Sequence, residues 1–350
     1  MKLIKKFTLL VMLLLFMTAC SNDSKETINV YNAGEYIDTA ILKDFEKEYN
    51  IKVNYNTYAS NEDMYIKVTQ GNDKYDVLFA SDYMIEKLIK ENFLDKINYD
   101  NIENYKNIEE TYRNMGFDPN NEYSVPYFVG TLGIIYNKSL IDDNIDSWKA
   151  LWNEKYKDQI IMYNSQRDSI AIALKMLGYS MNSKDANELN EAKQALLKQK
   201  PLVYAYLTDD MKDVIVQGDA GIGVQYSGDA AMMINDNPDL KYVIPKEGSN
   251  IWMDSMLIPA NANNKSGAEK FINYLCRPEV AAKNAEYLMG YTSPVQGAKD
   301  YLPDEIKNSE VAFPDYAKLP SLETYSYLGE ETLSLYDKIW TEVSASFEEK

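Results

Sequence analysis

An acid inside an apolar run is the first place where this chain could do chemistry. Asp254 stands in Trp252–Ile258 (WMDSMLI), where only Asp254 and Ser255 are strongly polar. A carboxylate buried there demands a partner, because an unpaired charge away from water is very costly. If the segment is extended, alternate side chains share a face, so Trp252 and Asp254 present a ring and a carboxylate to the same side. The remaining inventory narrows what they can do. There is no histidine in the 350 residues, which removes the usual general base, the usual zinc ligand and any Ser-His-Asp or Cys-His arrangement. Tyrosine is at the other extreme with 29 copies. A phenolic ring offers a π face and a hydroxyl together, which suits an organic cation, although most of these rings must serve packing.

Charge agrees with that direction without deciding it. The formal charge is −18, which excludes nucleic acid as a natural partner and fits long-range steering of a cation. Two cysteines are present, Cys20 and Cys276. Cys276 lies in an apolar-periodic segment and is expected to be a small core residue.

The elements that must position these residues alternate. Strand signals at Ile28–Tyr31, Ile51–Tyr58 and Tyr75–Ala80 are separated by helical spacing at Thr39–Tyr49, a helix capped by Ser60 with Asp63 three residues on, and a helix opened by Ser81. The same grammar returns with strands at Ile160–Tyr163, Leu202–Tyr206, Ala220–Tyr226 and Trp252–Ile258. Helices follow at Ile170–Leu177, Asn187–Gln199, Asp210–Gln217, after Ser227, from Ser266-x-x-Glu269 to Cys276, from Pro278 to Leu288, and at Glu331–Val343. Such alternation predicts an α/β protein with parallel sheets covered by helices. Two units of similar size, joined by extended crossings near Thr131 and Trp252, make a clamshell.

Seven segments carry a family resemblance, in order: YNAGEYID (Tyr31–Asp38), ASDYMIEKLIKE (Ala80–Glu91), YSVPYFVGTLGIIYNK (Tyr123–Lys138), WKALWNEKYKDQI (Trp148–Ile160), YSGDAA (Tyr226–Ala231), IWMDSMLIPANANNK (Ile251–Lys265) and GYTSP (Gly290–Pro294). Together they resemble the spermidine/putrescine-binding proteins of polyamine ABC transporters. The resemblance implies a two-lobed type II periplasmic-binding-protein fold. Lobe 1 would comprise 28–130 and 253–298, and lobe 2 would comprise 131–252 and 299–350. It implies a monomeric receptor with no cofactor, metal or catalytic residue, a polyamine as ligand and permease subunits as partner. Residue by residue it points to Glu35 and Tyr36 after the first strand, Ser81 and Tyr83 after the third, and Asp168 in the Gln166-Arg167-Asp168 turn. Tyr226, the Trp252–Asp254 pair and Tyr291 complete the set. Two departures bear on which polyamine fits: Ala33 stands where the family often has Trp, and Ser165 where well-known members have an acid. Asp82 or Asp229 are the candidates to replace that carboxylate.

The N-terminus addresses the chain. Lys2, Lys5 and Lys6 precede the apolar run Phe7–Phe16, which has the length of a signal-peptide core and is too short to span a bilayer. Met17-Thr18-Ala19-Cys20 resembles a bacterial lipobox, so 1–19 is expected to be a signal peptide, Cys20 the lipidation site and 20–27 a tether on the outer face of the membrane. Cleavage removes three lysines and no acid, taking the charge from −18 to −21. Competing functions are a same-fold receptor for thiamine or ferric iron, an exported hydrolase using two carboxylates, and a sensory lipoprotein outside transport.

Overall fold

The computed structural model describes residues 25–289, 291–315 and 318–345. The expected signal peptide 1–19, the lipidation residue Cys20 and Gly290 of the GYTSP segment lie outside the described residues. The described residues form ten strands: β1 (Glu26–Ala33), β2 (Ile51–Tyr58), β3 (Val77–Ser81), β4 (Ser124–Asn137), β5 (Ile160–Tyr163), β6 (Val203–Leu207), β7 (Ile222–Tyr226), β8 (Leu240–Val243), β9 (Ser249–Leu257) and β10 (Leu322–Glu323). β1 starts inside the expected tether: Glu26 and Thr27 pair with Ile51 and Lys52.

The strands join in the order β2-β1-β3-β9-β4-β7-β5-β6, with β10 on β9 and β8 on β4. The parallel expectation holds at both ends of this order, for β2-β1-β3 and for β7-β5-β6. It fails in the middle, where β9 runs antiparallel to β3 and β4, and β4 runs antiparallel to β7. The physical reason is connectivity. β4 and β9 carry the chain from one half to the other and back, so they enter each half from the opposite direction.

Two main cores flank this crossing. One gathers buried side chains from Ile28 to Val129 and from Ile251 to Leu302. The other gathers Leu132 to Val224 with Leu328, Tyr336, Ile339 and Val343. The division falls inside β4, between Val129 and Leu132, and the two-lobed type II architecture follows from it. Cys276 is free and fully buried in the first core, and burial pushes its thiol up to about 12. Helices begin where the caps say. Asp38 accepts from Ala40 N and Ser60 from Asp63 N. The cap expected at Ser266 is instead Asn264, whose side chain accepts from Gly267 N, while Glu269 is buried and takes the Asn101 amide. Among the described residues no helix is long and apolar enough to cross a membrane.

Candidate functional site

Three helices start at one place. Asp82–Lys90 follows β3, Gln166–Leu177 follows β5 and Ser227–Asp236 follows β7. Ligands of open α/β sheets bind at such carboxyl ends of strands. Each of these helices carries an acid in its first turn, namely Asp82, Asp168 and Asp229. The positive end of a helix dipole favours a carboxylate there in its charged form. All three acids line a cavity of about 850 Å³ between the lobes.

The nine residues singled out from the sequence, Glu35, Tyr36, Ser81, Tyr83, Asp168, Tyr226, Trp252, Asp254 and Tyr291, all line that cavity. Glu35 is exposed in the turn after β1. Asp254 projects from β9 directly opposite Ser81 of β3. Tyr36 Oη donates to Asp254 Oδ2 at 2.8 Å. Burial lifts the Asp254 carboxyl above the ordinary range, while hydrogen bonds from Ser81 and Tyr36 pull it back. Ser81 precedes its helix but makes no side-chain cap bond, so its hydroxyl is left for Asp254. Tyr83 donates to Glu62 at 3.0 Å.

Asp168 is set differently. The sequence suggests a turn, but Asp168 stands in the first turn of its helix, with Ser165 as the cap accepting from Asp168 N at 3.2 Å. Ser165, the position where the family resemblance leads one to expect an acid, therefore serves here to start the helix. Tyr226 Oη and Tyr325 Oη both donate to Asp168 Oδ1, at 3.0 and 2.9 Å. Burial raises this carboxyl also, opposed by hydrogen bonds from Ser165, Tyr325 and Tyr226 and by the charge of Arg167. Asp82 is pushed up to about 8, chiefly by burial and with the charge of Asp254 adding, although it accepts from Tyr83 N and Tyr325 N. Asp229 is raised by burial and held down by Lys212, 3.5 Å away.

Aromatic rings join the acids. Trp252 meets Tyr291 edge-on at 5.8 Å and Tyr226 at 6.3 Å between centroids. Tyr291 meets Tyr36 at 5.6 Å, and Tyr226 meets Tyr163 at 5.3 Å. Two glycines make room for this wall. A Cβ at Gly130 would lie 2.4 Å from the Trp252 ring, and one at Gly228 would lie 2.7 Å from the Tyr291 ring. The lining includes seven carboxyl side chains against two cationic ones, Lys87 and Arg167. Lys87 is paired with Glu330, and Arg167 lies 4.3 Å from the Tyr325 ring centroid. Acids in excess, several raised by burial, with rings between them, form a surface that an organic cation would satisfy and an anion would not. Among the described residues no group of three or more His, Cys, Asp and Glu could hold a metal ion.

Tyr325 and Tyr163 were not found from the sequence. Tyr325 sits in a tail, SLETYSYLG, with no helical or strand period to place it. Its position is set by β10, which pairs Leu322 and Glu323 with Ser249 and Asn250 of β9.

Comparison with known proteins agrees with this geometry. Residues 40–314 match the family model described as bacterial extracellular solute-binding protein. The spermidine/putrescine-binding periplasmic protein of Salmonella typhimurium is 37% identical over 335 residues, covering 95% of this chain and 96% of the relative. Its counterpart in Escherichia coli is 36% identical over the same length. A solved spermidine/putrescine ABC transporter substrate-binding protein from Streptococcus pneumoniae, in complex with calcium and HEPES, superposes with a TM-score of 0.83 at 39% identity. It covers 91% of this chain and 99% of that one. A putative spermidine/putrescine ABC transporter structure from Listeria monocytogenes gives 0.84 at 42% identity, with the same coverage. With a shared fold, a family model spanning most of its length and relatives alike from end to end, this chain belongs to the bacterial extracellular solute-binding proteins.

Proposed function

We infer that this chain is an extracellular receptor for a polyamine of the spermidine/putrescine class, which closes on its ligand and delivers it to the permease subunits of an ABC importer. One observation carries the reading: Asp254 and Asp168, each dressed by tyrosine hydroxyls, line one cavity walled by Trp252, Tyr226 and Tyr291. A polyamine is a chain of methylenes ending in ammonium groups, so it needs separated carboxylates and flat apolar walls. A carboxylate ~4 Å from an ammonium gains about 4 kcal/mol at an effective dielectric near 20. Each aromatic face adds ~0.5–2 kcal/mol. Ordering the ligand and the lobes offsets part of that sum.

In this reading Glu35, Tyr36, Ser81, Tyr83, Asp168, Tyr226, Trp252, Asp254 and Tyr291 contact the ligand, and Asp229 supplies the acid missing at Ser165. The boundaries 28–130 with 253–298, and 131–252 with 299–350, divide the lobes, with Ile251 and Leu302 at the margins buried in the first core. Cys20 carries the lipid anchor, and the receptor works as a monomer. Its role is delivery and not catalysis, in keeping with the family. A ferric-iron receptor would need phenolates. Burial, with Asp168 adding, holds the Tyr226 and Tyr325 phenols well above their ordinary value, which disfavours that alternative.

Calorimetric titration of the mature chain with putrescine, spermidine, spermine, thiamine and Fe³⁺ tests the proposal. Heat is expected with a polyamine at micromolar concentration and is expected to vanish in Asp254→Asn. No polyamine heat at that level, or heat with thiamine or Fe³⁺ alone, ends it.

A further inference from the structure

The tail does more than close the second core. Glu323 pairs with Lys175 at 2.5 Å, Thr324 O accepts from the Asn182 amide, and Ser326 N donates back to Asn182 Oδ1 at 2.9 Å. Leu328 is buried in the second core. This fixes residues 323–328 to the second lobe. The same segment lies along the helix Asp82–Lys90 of the first lobe. Tyr325 N donates to Asp82 Oδ2 at 3.3 Å, and Tyr327 N donates to Glu86 Oε2 at 2.7 Å. Lys87 Nζ pairs with Glu330 at 3.1 Å and sits 5.5 Å from the centre of the Tyr327 ring. Successive turns of one helix thus grip alternate residues of one strap, which lines the cavity.

Tyr325 stands where the strap meets the site. Its peptide N–H is held by Asp82 of the first lobe, and its hydroxyl holds Asp168 of the second. Its ring carries the Arg167 guanidinium. Docking of the strap and orientation of Asp168 therefore pass through one residue.

We propose that Tyr325 is a positioning residue which makes capture of a cation by Asp168 and latching of the two lobes a single event. The proposal rests on the receptor reading above and goes beyond it, since it assigns to the tail a part in holding the closed form. When the lobes part, the strap leaves Asp82, Glu86 and Lys87. Asp168 then keeps Tyr226 and Ser165, while Tyr325 stays on the same lobe but loses the hold that Asp82 has on its peptide N–H, so its hydroxyl is no longer fixed toward Asp168. When a cation sits on Asp168, the carboxylate is ionised and accepts the Tyr325 hydroxyl strongly, so the strap docks with Tyr325 already oriented.

Two variants test this in the full mature chain, with spermidine and putrescine as probes. Tyr325→Phe keeps the ring under Arg167 and the peptide N–H, and removes only the hydroxyl. Loss of one hydrogen bond to a charged group predicts about tenfold weaker binding at neutral pH. The groups facing Asp168 are Ser165 and Arg167 on its own helix and cap, Tyr163 on β5, Tyr226 on β7 and Tyr325. The hydroxyl favours the ionised carboxyl, so without it the acid limb of binding moves to higher pH. A purely structural tyrosine would leave that limb in place. Glu86→Ala, remote from Asp168, removes one strap contact. Stopped-flow release of the ligand is expected to quicken about three- to tenfold with the association rate unchanged. Wild-type affinity and pH limb in Tyr325→Phe, or a wild-type release rate in Glu86→Ala, overturns the proposal. If Tyr325→Phe fails to fold, Glu86→Ala still decides. A native chain that binds no polyamine sinks the receptor reading, and this proposal falls with it. Binding by the native chain that neither variant alters sinks this proposal alone.

Discussion

Asp254, half-buried, and Asp168, buried, both carry tyrosine hydroxyls, yet they are built by different means. Asp254 lies on β9, flanked by β3 and β4, and its partners Ser81 and Tyr36 belong to the same core. Everything that orients it is present within one lobe. Asp168 lies in the first turn of a helix, and its partners come from a cap, from β7 and from the tail. One acid is oriented by its own lobe alone; the other takes one of its partners from a strap that the first lobe also holds. A ligand should therefore meet Asp254 first and be secured by Asp168 afterwards, and pre-organisation places the larger share of affinity on the first.

Asp254→Asn is expected to have the largest effect, a loss of roughly a hundredfold or more in polyamine affinity, since a buried cation then lacks its counter-charge. Titration calorimetry measures it, and a change within threefold would break the asymmetry at its root. Asp168→Asn should cost about ten- to a hundredfold, expressed in the dissociation rate. Stopped-flow fluorescence from Trp252 can separate the rates, and equal effects of the two substitutions on association would erase the distinction. A smaller loss, about three- to tenfold, is expected for Trp252→Leu, which leaves both acids and removes one aromatic face. An unchanged Kd would assign the indole to packing alone.

The mildest test uses pH. Asp82 is held up near 8 in the folded chain, whereas an unfolded aspartate titrates near ~3.9. The folded state then binds the extra proton between those values. Its stabilising contribution is complete at low pH and is lost as pH rises through about 8. Melting temperatures of the ligand-free protein should accordingly decline between pH 5 and 8, and Asp82→Asn should flatten that decline. An equal slope in both proteins would show that Asp82 is already ionised and is not a reserve of unpaired charge beside Asp254.

Much of this arrangement was legible because local rules agreed with the final fold. Ser60, whose hydroxyl takes Asp63 N, and Ile160–Tyr163, now β5, are where capping and apolar runs place them. The W-x-D face was legible because extended chain admits one alternation, and β9 keeps it. Other features depend on distant partners and leave no local trace. β4 and β9 are antiparallel to their neighbours because of where the chain crosses, which periodicity does not record. Asn264 and Ser266 are both plausible caps, and packing of Glu269 against Asn101 accompanies the choice of Asn264. Tyr325 is one tyrosine among several in an irregular tail, and only the pairing of β10 with β9 brings it to Asp168.

The crossing pair has a mechanical consequence. β4 and β9 are bonded to each other from Ser124–Leu257 to Thr131–Ile251, so the joint is a two-ply ribbon and not a pair of loose threads. Such a ribbon twists readily, but sliding one ply along the other breaks a row of amide bonds at once. Motion of the halves about the end of this ribbon must therefore bend or twist it rather than slide its plies, and the separation of Asp254 and Asp168 changes with that bend. If the two acids hold the two ends of a cation, the stiffness of this ribbon would bear on which ligand lengths fit, as the walls of the cavity would.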